Sequence, residues 1–464
     1  MKRLIFCFDG TWNRIDGEYP TNVAKLAQSV AHRDGQTAQL IYYDEGVGTE
    51  DTSQWTGGIL GHGLFDNILS AYHFLVLNHE AGDEIYVFGF SRGAYTARSF
   101  TGLIRNAGII SRRSLRRIGE AVELYQNRET RTKPGAEAIR EFRYRHRPEL
   151  LLPGDRAWRE RRYPDDERPA TDLRVRYLGI WDTVGALGIP AQIAPDEIFR
   201  RKYQFHDCEL SSFVEAARHA VAADERRRTF DAALWTNLDI LNGDTGPHPY
   251  RQEIFPGTHG SVGGGGLVTG LSDEALAWVM QGAQAQGLAF DTDAESPIHT
   301  LRPDHRAALI NNDQSWMDKV KEFLMGIGFD DRSFPGIDIT QVHESLIRRF
   351  HEPAASLPEG EEYRPRSLEP LWNAIGGEGP KFLATGKKAM PDAALRTPVR
   401  VESHVVEAGD TLGALAARFM GDKRFASLLF RHNQLLGHLH DPDRLYVGQT
   451  IEIPVFEAEP PAKP

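Results

Sequence analysis

The chain has 464 residues, of which 41% are hydrophobic and 26% are charged, so it contains enough apolar material for a large core. This length predicts two or more domains, or one large domain with a small module. A formal net charge of −11 disfavours general nucleic-acid binding. Two cysteines are too few for a disulfide framework, and we expect no metal or organic cofactor.

The start of the chain lacks the pattern of a secretory signal. An apolar run over residues 4–8 follows Met1-Lys2-Arg3, and it is too short for the core of a signal peptide. No apolar stretch reaches the length that spans a bilayer. We therefore expect synthesis in the cytoplasm without a signal peptide and, for any action elsewhere, delivery by another route.

The N-terminal region alternates strand patterns with helix patterns. Buried-strand patterns cover residues 4–8, 39–43 and 84–89. Helical spacing of apolar residues begins at Thr21 and recurs over 64–78 and 94–104, and a glycine-rich loop covers 46–63. This alternation predicts an α/β fold with a mostly parallel sheet and helices on both faces.

Residues 111–170 differ in composition, because arginines are interleaved there with glutamates and aspartates. Such charge patterning favours a helical insertion with solvated side chains. The functional alternative is a basic lid that meets anionic lipid headgroups. The negative charge of the whole chain argues against a lid, whereas the local clustering of arginines argues for it.

Strand patterns resume after this insertion. One covers residues 174–181 and ends at Asp182, and a shorter one covers residues 252–255. Between them, the apolar spacing over residues 213–223 predicts a helix. In that helix, we interpret His219 as a packed structural histidine.

The stretch Gly89-Phe90-Ser91-Arg92-Gly93 matches the G-x-S-x-G pattern of a nucleophile elbow. A β-branched and aromatic run ends at Gly89, and a helix begins after Gly93, which is the context that the pattern requires. Glycines on both sides allow a tight, strained turn, and the helix N-terminus favours developing negative charge. We predict Ser91 as the nucleophile, with an ordinary glycine-bracketed turn as the alternative.

A serine nucleophile needs a base, and the base needs a carboxylate that orients it. In α/β-hydrolases the acid and then the histidine follow the serine along the chain, each after a strand. Asp182 ends a strand and fits the acid, and His259 lies in the glycine-dense loop 257–266 and fits the base. The alternative for Asp182 is an aspartate that forms a turn or caps a helix, and the alternative for His259 is a loop histidine without a role.

Acyl transfer also needs backbone N–H donors for the oxyanion. The amide of Arg92 is one candidate, and the turn Gly10-Thr11 after the first strand is the other. The same turn suggests a rival, since haloacid-dehalogenase-type phosphatases carry D-x-D-G-T at this place. The nucleophilic first aspartate of that pattern is Cys7 here, so we interpret Asp9 as a residue that shapes the loop.

Several longer motifs resemble one family, the α/β-hydrolase domain of type VI secretion phospholipase effectors of the first lipase group and their uncharacterised relatives. In order, they are FDGTWN (8–13), TNV (21–23), GVGT (46–49), GDEI (82–85), FGFSRGAYTAR (88–98), GIWDTVG (179–185), DERR (224–227) and FPGTH (255–259). The resemblance implies Ser91, Asp182 and His259 as a triad that hydrolyses phospholipid esters. Ser261 departs from the family's usual aspartate, which predicts a difference in activity or substrate.

A second pattern begins at His404. The stretch HVVEAGDTL (404–412), a helical stretch over 414–419 and the closing stretch VGQTIEIP (447–454) resemble a LysM module of strand, two helices and strand. The resemblance implies binding of N-acetylglucosamine-containing glycans such as peptidoglycan. The alternative is a module kept for folding or for contact with a delivery machine.

Together these features predict a domain organisation and a function. The expected parts are a catalytic domain (1–370), a linker (371–401), a LysM-like module (402–456) and a tail (457–464). We hypothesise a serine hydrolase of carboxylic esters, a phospholipase-like antibacterial effector delivered to the periplasm of a target cell by type VI secretion. The alternatives are an esterase on another acyl substrate and a non-catalytic hydrolase-like scaffold. Expected partners are a phospholipid or other acyl ester, a peptidoglycan glycan, and secretion machinery or an immunity protein.

Overall fold

The structure of the chain is a computed structural model. It describes residues 1–10, 15–46, 57–127, 132–184, 209–243, 248–291, 296–309, 329–377, 400–407, 409–420, 429, 433, 445 and 447–455. These residues form a large sheet with helices on both faces and a small C-terminal unit.

The large sheet contains seven of the first nine strands. Strands β1 to β9 are, in chain order, Lys2–Phe8, Arg33–Asp34, Thr37–Asp44, Glu84–Phe90, Leu150–Leu151, Thr171–Asp172, Tyr177–Trp181, Ala217–Ala222 and Tyr250–Phe255. The sheet order is β2-β3-β1-β4-β7-β8-β9, and β5 pairs with β6 separately. Neighbours in the sheet run parallel, apart from the short antiparallel pair β2–β3. The predicted mostly parallel sheet is confirmed.

Eleven helices are bounded within the described residues. Helices α1 to α11 are Asn22–Ser29, Gly57–Asn78, Arg92–Ala107, Ile118–Gln126, Glu137–His146, Asp155–Arg162, Leu238–Asn242, His259–Gly263, Gly270–Ala285, Glu344–His351 and Leu412–Met420. Short 3₁₀ helices cover Arg112–Arg117, Arg228–Phe230, Pro297–Thr300, Ile339–Gln341, Ala354–Ser356 and Arg366–Leu371. None of the described helices combines the length and the apolar character needed to cross a membrane.

Alternate side chains of β1 enter two different cores, because successive residues of a strand point to opposite faces. Leu4 and Phe6 pack with α2 and α3 on one face of the sheet. Ile5 and Cys7 pack with α1 and α9 on the other face. The central strands are therefore apolar on both sides, which is typical of a parallel sheet covered by helices.

The prediction of a helix over residues 213–223 is wrong. Residues 217–222 form strand β8, which pairs in parallel with β7 and β9. A strand buried on both faces has a continuous apolar run, and its alanines imitate a helix pattern. His219 is fully buried in this strand, where Nδ1 lies 3.0 Å from Gln252 Oε1 and Nε2 accepts from the Thr183 amide at 3.2 Å.

The arginine-rich insertion is helical, as predicted, but its arginines are not all solvated. Arg143 is buried and forms an ion pair with the buried Asp155, with Nε 2.8 Å from Oδ2. Arg159 is also buried, and its guanidinium lies 2.8 Å from Asp166. Exposed arginines such as Arg117 make looser pairs on the surface. Burying such cations requires paired carboxylates, so part of the charge pattern holds the insertion together.

Two predicted boundaries near the sheet edge differ from the structure. Helix α2 begins at Gly57, inside the stretch that we predicted as a glycine-rich loop. His259 begins the short helix α8, whereas its surroundings predicted a loop. Both differences involve glycines, whose wide range of allowed backbone conformations includes the helical one.

The C-terminal unit has a small core of its own. Strands β10 (Arg400–Val405) and β11 (Thr450–Val455) pair antiparallel, and α11 packs on them. Its core contains Val406, Leu415 and Ile451, all buried. The predicted second helix falls mainly outside the described residues, although Leu429 and Asn433 are both helical.

Candidate active site

Three predicted site residues follow three strands of the sheet at their carboxyl ends. Ser91 directly follows β4, Asp182 directly follows β7, and His259 comes four residues after β9. Strands β4 and β7 are neighbours, and the Ser91 amide donates to the Trp181 carbonyl at 3.1 Å. The parallel sheet therefore brings residues that are far apart in sequence to one edge, where open α/β sheets bind their ligands.

Ser91 occupies a strained turn between β4 and α3. Its φ of 59° and ψ of −123° lie in a region that residues with a side chain rarely adopt. The flanking glycines make this turn possible by their small size. A Cβ at Gly89 would lie 2.5 Å from the Gly93 carbonyl oxygen, and one at Gly93 would lie 2.2 Å from the Phe8 carbonyl oxygen. Such a backbone costs on the order of 1–3 kcal/mol, so surrounding packing must hold it.

The Ser91 side chain is almost buried, with 5% of the residue exposed. Within the described part of the chain, its hydroxyl makes no hydrogen bond to His259 or to another group. Hydrogen bonds of this kind are often long in a site without substrate.

His259 is oriented by Asp182. His259 Nδ1 lies 2.6 Å from Asp182 Oδ2. Because an ionised carboxylate only accepts hydrogen bonds, Nδ1 must donate, and Nε2 of the neutral ring is left as an acceptor. The rings of Phe90 and Phe230 cover the imidazole, with centroid distances of 4.6 and 4.9 Å. This burial lowers the pKa of His259, whereas the bond to Asp182 opposes the change.

Asp182 is fully buried and has two other kinds of partner besides His259. Its Oδ1 accepts from the Ala222 amide at 2.9 Å, and the guanidinium of Arg332 contacts both carboxylate oxygens. Burial alone would raise the pKa of Asp182, but Arg332 and His259 hold it well below the usual range. Arg332 was not predicted from the sequence, because it lies 150 residues from Asp182 in a region without a motif.

A second buried carboxylate, Glu225, supports the backbone of the histidine helix. Glu225 accepts from the His259 amide at 3.3 Å and from Arg227 Nε at 2.8 Å. The Arg227 guanidinium in turn stacks on Phe230, 3.6 Å from the ring centroid. Glu225 and Arg227 belong to the DERR stretch, which the sequence resemblance identified without giving it a role.

The neighbouring Asp224 ties the same turn to a distant segment. One of its carboxylate oxygens accepts from the Gly257 amide at 2.7 Å and from the Tyr363 hydroxyl at 2.6 Å. Residues after β8 therefore hold both the start of the histidine turn and the histidine itself.

The predicted oxyanion donors have different positions in the structure. Arg92 is the first residue of α3, so its amide has no partner within the helix. The Gly10 amide already donates to Asp9 Oδ1 at 2.7 Å. Thr11 lies outside the described residues. Asp9 also accepts from the hydroxyls of Thr21 and Tyr43, which agrees with a residue that shapes the loop.

The Arg92 side chain brings a cation next to Ser91 in the chain. It has no ion-pair partner among the described residues, and burial lowers the pKa of this guanidinium to about 10. Among the described residues, many partly buried arginines pair with carboxylates, as Arg143 does with Asp155, whereas Arg92 does not.

Ser261 lies in α8, two positions after His259, where the resembling family usually has an aspartate. The side chain is fully buried, and its hydroxyl donates to the Leu309 carbonyl at 3.1 Å. It also lies 3.2 Å from the Thr258 hydroxyl. The serine therefore contributes hydrogen bonds but no charge beside the histidine. Within the described residues, no cluster of three or more His, Cys, Asp or Glu side chains could hold a metal ion.

The sequence matches known families over most of its length. Residues 2–282 match the family described as "T6SS, Phospholipase effector Tle1-like, catalytic domain", which is more than half of the chain. The chain belongs to this Tle1-like effector family. Residues 404–454 match the LysM domain. The Tle1-like match supports a hydrolase of lipase type, and it includes Ser91, Asp182 and His259 but not Arg332.

Individual relatives are more distant. An uncharacterized protein of Saccharomyces cerevisiae is 28% identical over 273 residues, covering 56% of this chain and 35% of its own length. The chain thus spans about a third of that relative. An uncharacterized protein from Pseudomonas aeruginosa has a structure with 14% identity and a TM-score of 0.35, covering 88% of this chain and 69% of the other.

A Tle1 effector bound to the VgrG spike of the type VI secretion system is 20% identical, with a TM-score of 0.29. This similarity covers 56% of this chain and 50% of that one. Both TM-scores are low, so the family assignment is based on the sequence match.

Proposed function

We propose that the chain is a serine hydrolase that cleaves carboxylic esters, with the acyl esters of phospholipids as its substrates. One observation carries this proposal. A serine on a strained turn and a histidine paired with a buried carboxylate at 2.6 Å lie at the same edge of the sheet. The Tle1-like family match supports phospholipids as the substrate class.

In the proposed reaction, Ser91 Oγ attacks the acyl carbonyl while His259 Nε2 takes the hydroxyl proton. The amide of Arg92, which has no partner within α3, donates to the oxyanion. When the tetrahedral intermediate collapses, His259 returns the proton to the leaving alcohol, a lysophospholipid. Water then attacks the acyl-enzyme with His259 as base and releases the fatty acid. Asp182 keeps the imidazole in the tautomer that accepts the proton.

Labelling with a fluorophosphonate probe tests the nucleophile without assuming a substrate. We expect the full chain to be labelled and Ser91→Ala not to be labelled. Ser99→Ala, two turns further along α3, is the matched control and should label normally. Absence of labelling in the folded wild type would favour a non-catalytic scaffold.

Lipid vesicles then test the substrate class. We expect the wild type, but not Ser91→Ala, to release fatty acid from phospholipid vesicles. A labelled enzyme that cleaves a soluble neutral ester and leaves every phospholipid intact would instead be an esterase on another acyl substrate.

We further propose that the LysM module docks the chain on peptidoglycan, as part of an antibacterial effector delivered by type VI secretion. The LysM match over residues 404–454 and the effector family support this role. Purified peptidoglycan should retain the full chain, and a chain ending at residue 377 should remain in solution. Equal retention of the two would contradict docking by the module.

A further inference from the structure

Arg332 connects three segments around Asp182. Its Nη1 donates to Asp182 Oδ1 at 2.6 Å and to the Ala222 carbonyl at 2.8 Å. Its Nη2 donates to Asp182 Oδ2 at 3.0 Å and to the Phe230 carbonyl. Only 7% of the residue is exposed. Arg332 therefore makes four hydrogen bonds in a place from which water is largely excluded.

We propose that Arg332 is a positioning residue, which fixes the plane of the Asp182 carboxylate and compensates its charge so that His259 remains a neutral base. The proposal rests on the serine-hydrolase function proposed above. It assigns a role in that site to a residue outside the Tle1-like match.

The geometry of the carboxylate supports the positioning role. Asp182 has a φ of 36°, a backbone conformation that residues with side chains rarely adopt, so surrounding contacts must hold this turn. The planar guanidinium binds both carboxylate oxygens, which fixes the carboxylate against rotation. Oδ2 is thereby held where His259 Nδ1 meets it at 2.6 Å. A lysine could supply the charge but not this two-point contact.

Arg332 also supports an aromatic residue that packs against the imidazole. Its Nη2 bond to the Phe230 carbonyl holds the 3₁₀ helix Arg228–Phe230. The Phe230 ring packs against the His259 ring in an edge-to-face arrangement, with an interplanar angle of 77°. One guanidinium therefore supports both the acid and an aromatic wall of the histidine.

The charges around His259 explain the second part of the proposal. Asp182 follows β7, Glu225 and Arg227 follow β8, and Arg332 comes from the segment after residue 329. Within the described residues, two carboxylates therefore contact His259, and each of them is paired with one guanidinium. Without Arg332, the full charge of Asp182 would act on the ring and favour its protonated form. Arg332 therefore allows His259 to accept the serine proton at lower pH.

The test compares Arg332→Met with Arg332→Lys in the full chain. Arg228→Met is the matched control, because Arg228 is an exposed cation of the same neighbourhood that pairs loosely with Asp330 at 3.2 Å. The measurement is the second-order rate of fluorophosphonate labelling from about pH 5 to pH 9, which reports the protonation of the free enzyme. Thermal unfolding of each variant shows how much folded protein is present.

We expect Arg332→Met to label at least about tenfold more slowly on its high-pH plateau, because the imidazole loses its alignment. The acidic limb of its pH profile, where the labelling rate falls as His259 becomes protonated, should move to higher pH by about one unit. The reason is that an uncompensated carboxylate favours the imidazolium. Arg332→Lys should keep most of the acidic limb while losing part of the plateau rate. Arg228→Met should match the wild type in both the plateau rate and the position of the acidic limb.

Two results would overturn the proposal. One is a folded Arg332→Lys or Arg332→Met protein with the plateau and acidic limb of the wild type. The other is a slower rate in Arg332→Met with an unmoved acidic limb, which would reduce Arg332 to a structural residue. Failure of the serine-hydrolase function itself looks different, because the wild type would then not be labelled at any pH.

Discussion

Phe90 and His259 stack at the centre of the site, with ring centroids 4.6 Å apart and planes tilted by 30°. Phe90 is the residue before Ser91, so the nucleophile turn and the histidine helix are packed directly against each other. Gly263 also packs tightly against the Phe90 ring. A Cβ at this glycine would lie 1.9 Å from an atom of the Phe90 ring.

Gly263→Ala should therefore damage the site without removing any chemical group. The added methyl must displace Phe90 and, through it, His259 or Ser91. We expect a stability loss of about 1–3 kcal/mol and a labelling rate lower by about one to two orders of magnitude. Gly119→Ala is the control, because its Cβ would meet no atom within 4 Å. Normal labelling of Gly263→Ala would show that this packing does not position the nucleophile.

Asp182→Asn should lower both activity and stability. The amide can present N–H to His259 and favour the wrong tautomer, so labelling should fall roughly 10³- to 10⁴-fold. Arg332 would also be left buried without its anion, which costs about 3–5 kcal/mol of unfolding free energy. Adding Arg332→Met to Asp182→Asn should recover stability but not labelling. Denaturant unfolding separates the two effects, and an unchanged stability of the single variant would contradict the buried ion pair.

The pH dependence of labelling should follow His259. Burial lowers the pKa of this histidine from its ordinary 6.5, although Asp182 opposes the change. Only the neutral ring accepts the Ser91 proton, so labelling should be constant at neutral pH and fall through a midpoint below 6.5. The unfolded chain binds this proton more readily, so His259 should also reduce stability as the pH falls below about 6.5. A midpoint above the ordinary histidine value would contradict this expectation.

Arg92→Gln should change substrate preference more than the chemistry. The amide of Arg92 is kept in this variant, but the cation that follows Ser91 in the chain, which lacks an ion-pair partner within the described residues, is lost. We expect kcat/KM for phospholipid vesicles to fall by about tenfold, because ion pairing with the lipid phosphate is lost. Hydrolysis of a small neutral ester should change little, and Arg92→Lys should keep most of the vesicle activity. Equal losses on both substrates would contradict a role of this cation in substrate preference.

Asp155→Ala should destabilise the arginine-rich insertion. It leaves Arg143 buried with no carboxylate, which we expect to cost about 3–5 kcal/mol. The control is Arg156→Ala, which removes an exposed pair with Asp172 and should change stability by less than about 1 kcal/mol. Chemical denaturation measures both, and similar losses in the two variants would mean that the insertion is held by other contacts.

Features that depend on neighbouring residues were predictable from the sequence. The strand before Gly89 and the helix after Gly93 are determined by residues that are close together in the sequence. The strained turn at Ser91 was therefore expected where the structure has it. The helix after Thr21 was predicted in the same way, and its first turn is capped by the Thr21 hydroxyl, which accepts from the Ala24 amide at 3.1 Å. The mostly parallel sheet followed from the alternation of such local patterns.

Features that depend on distant partners were decided only by the tertiary structure. Residues 217–222 could satisfy their backbone in a helix as well as in a strand, and the flanking strands β7 and β9 decided for the strand. Arg332 looks like any other surface arginine in the sequence. In the folded chain it is buried beside Asp182 and forms an ion pair with it. A charge that is excluded from water needs an oppositely charged partner, and only the tertiary structure brings these two residues together.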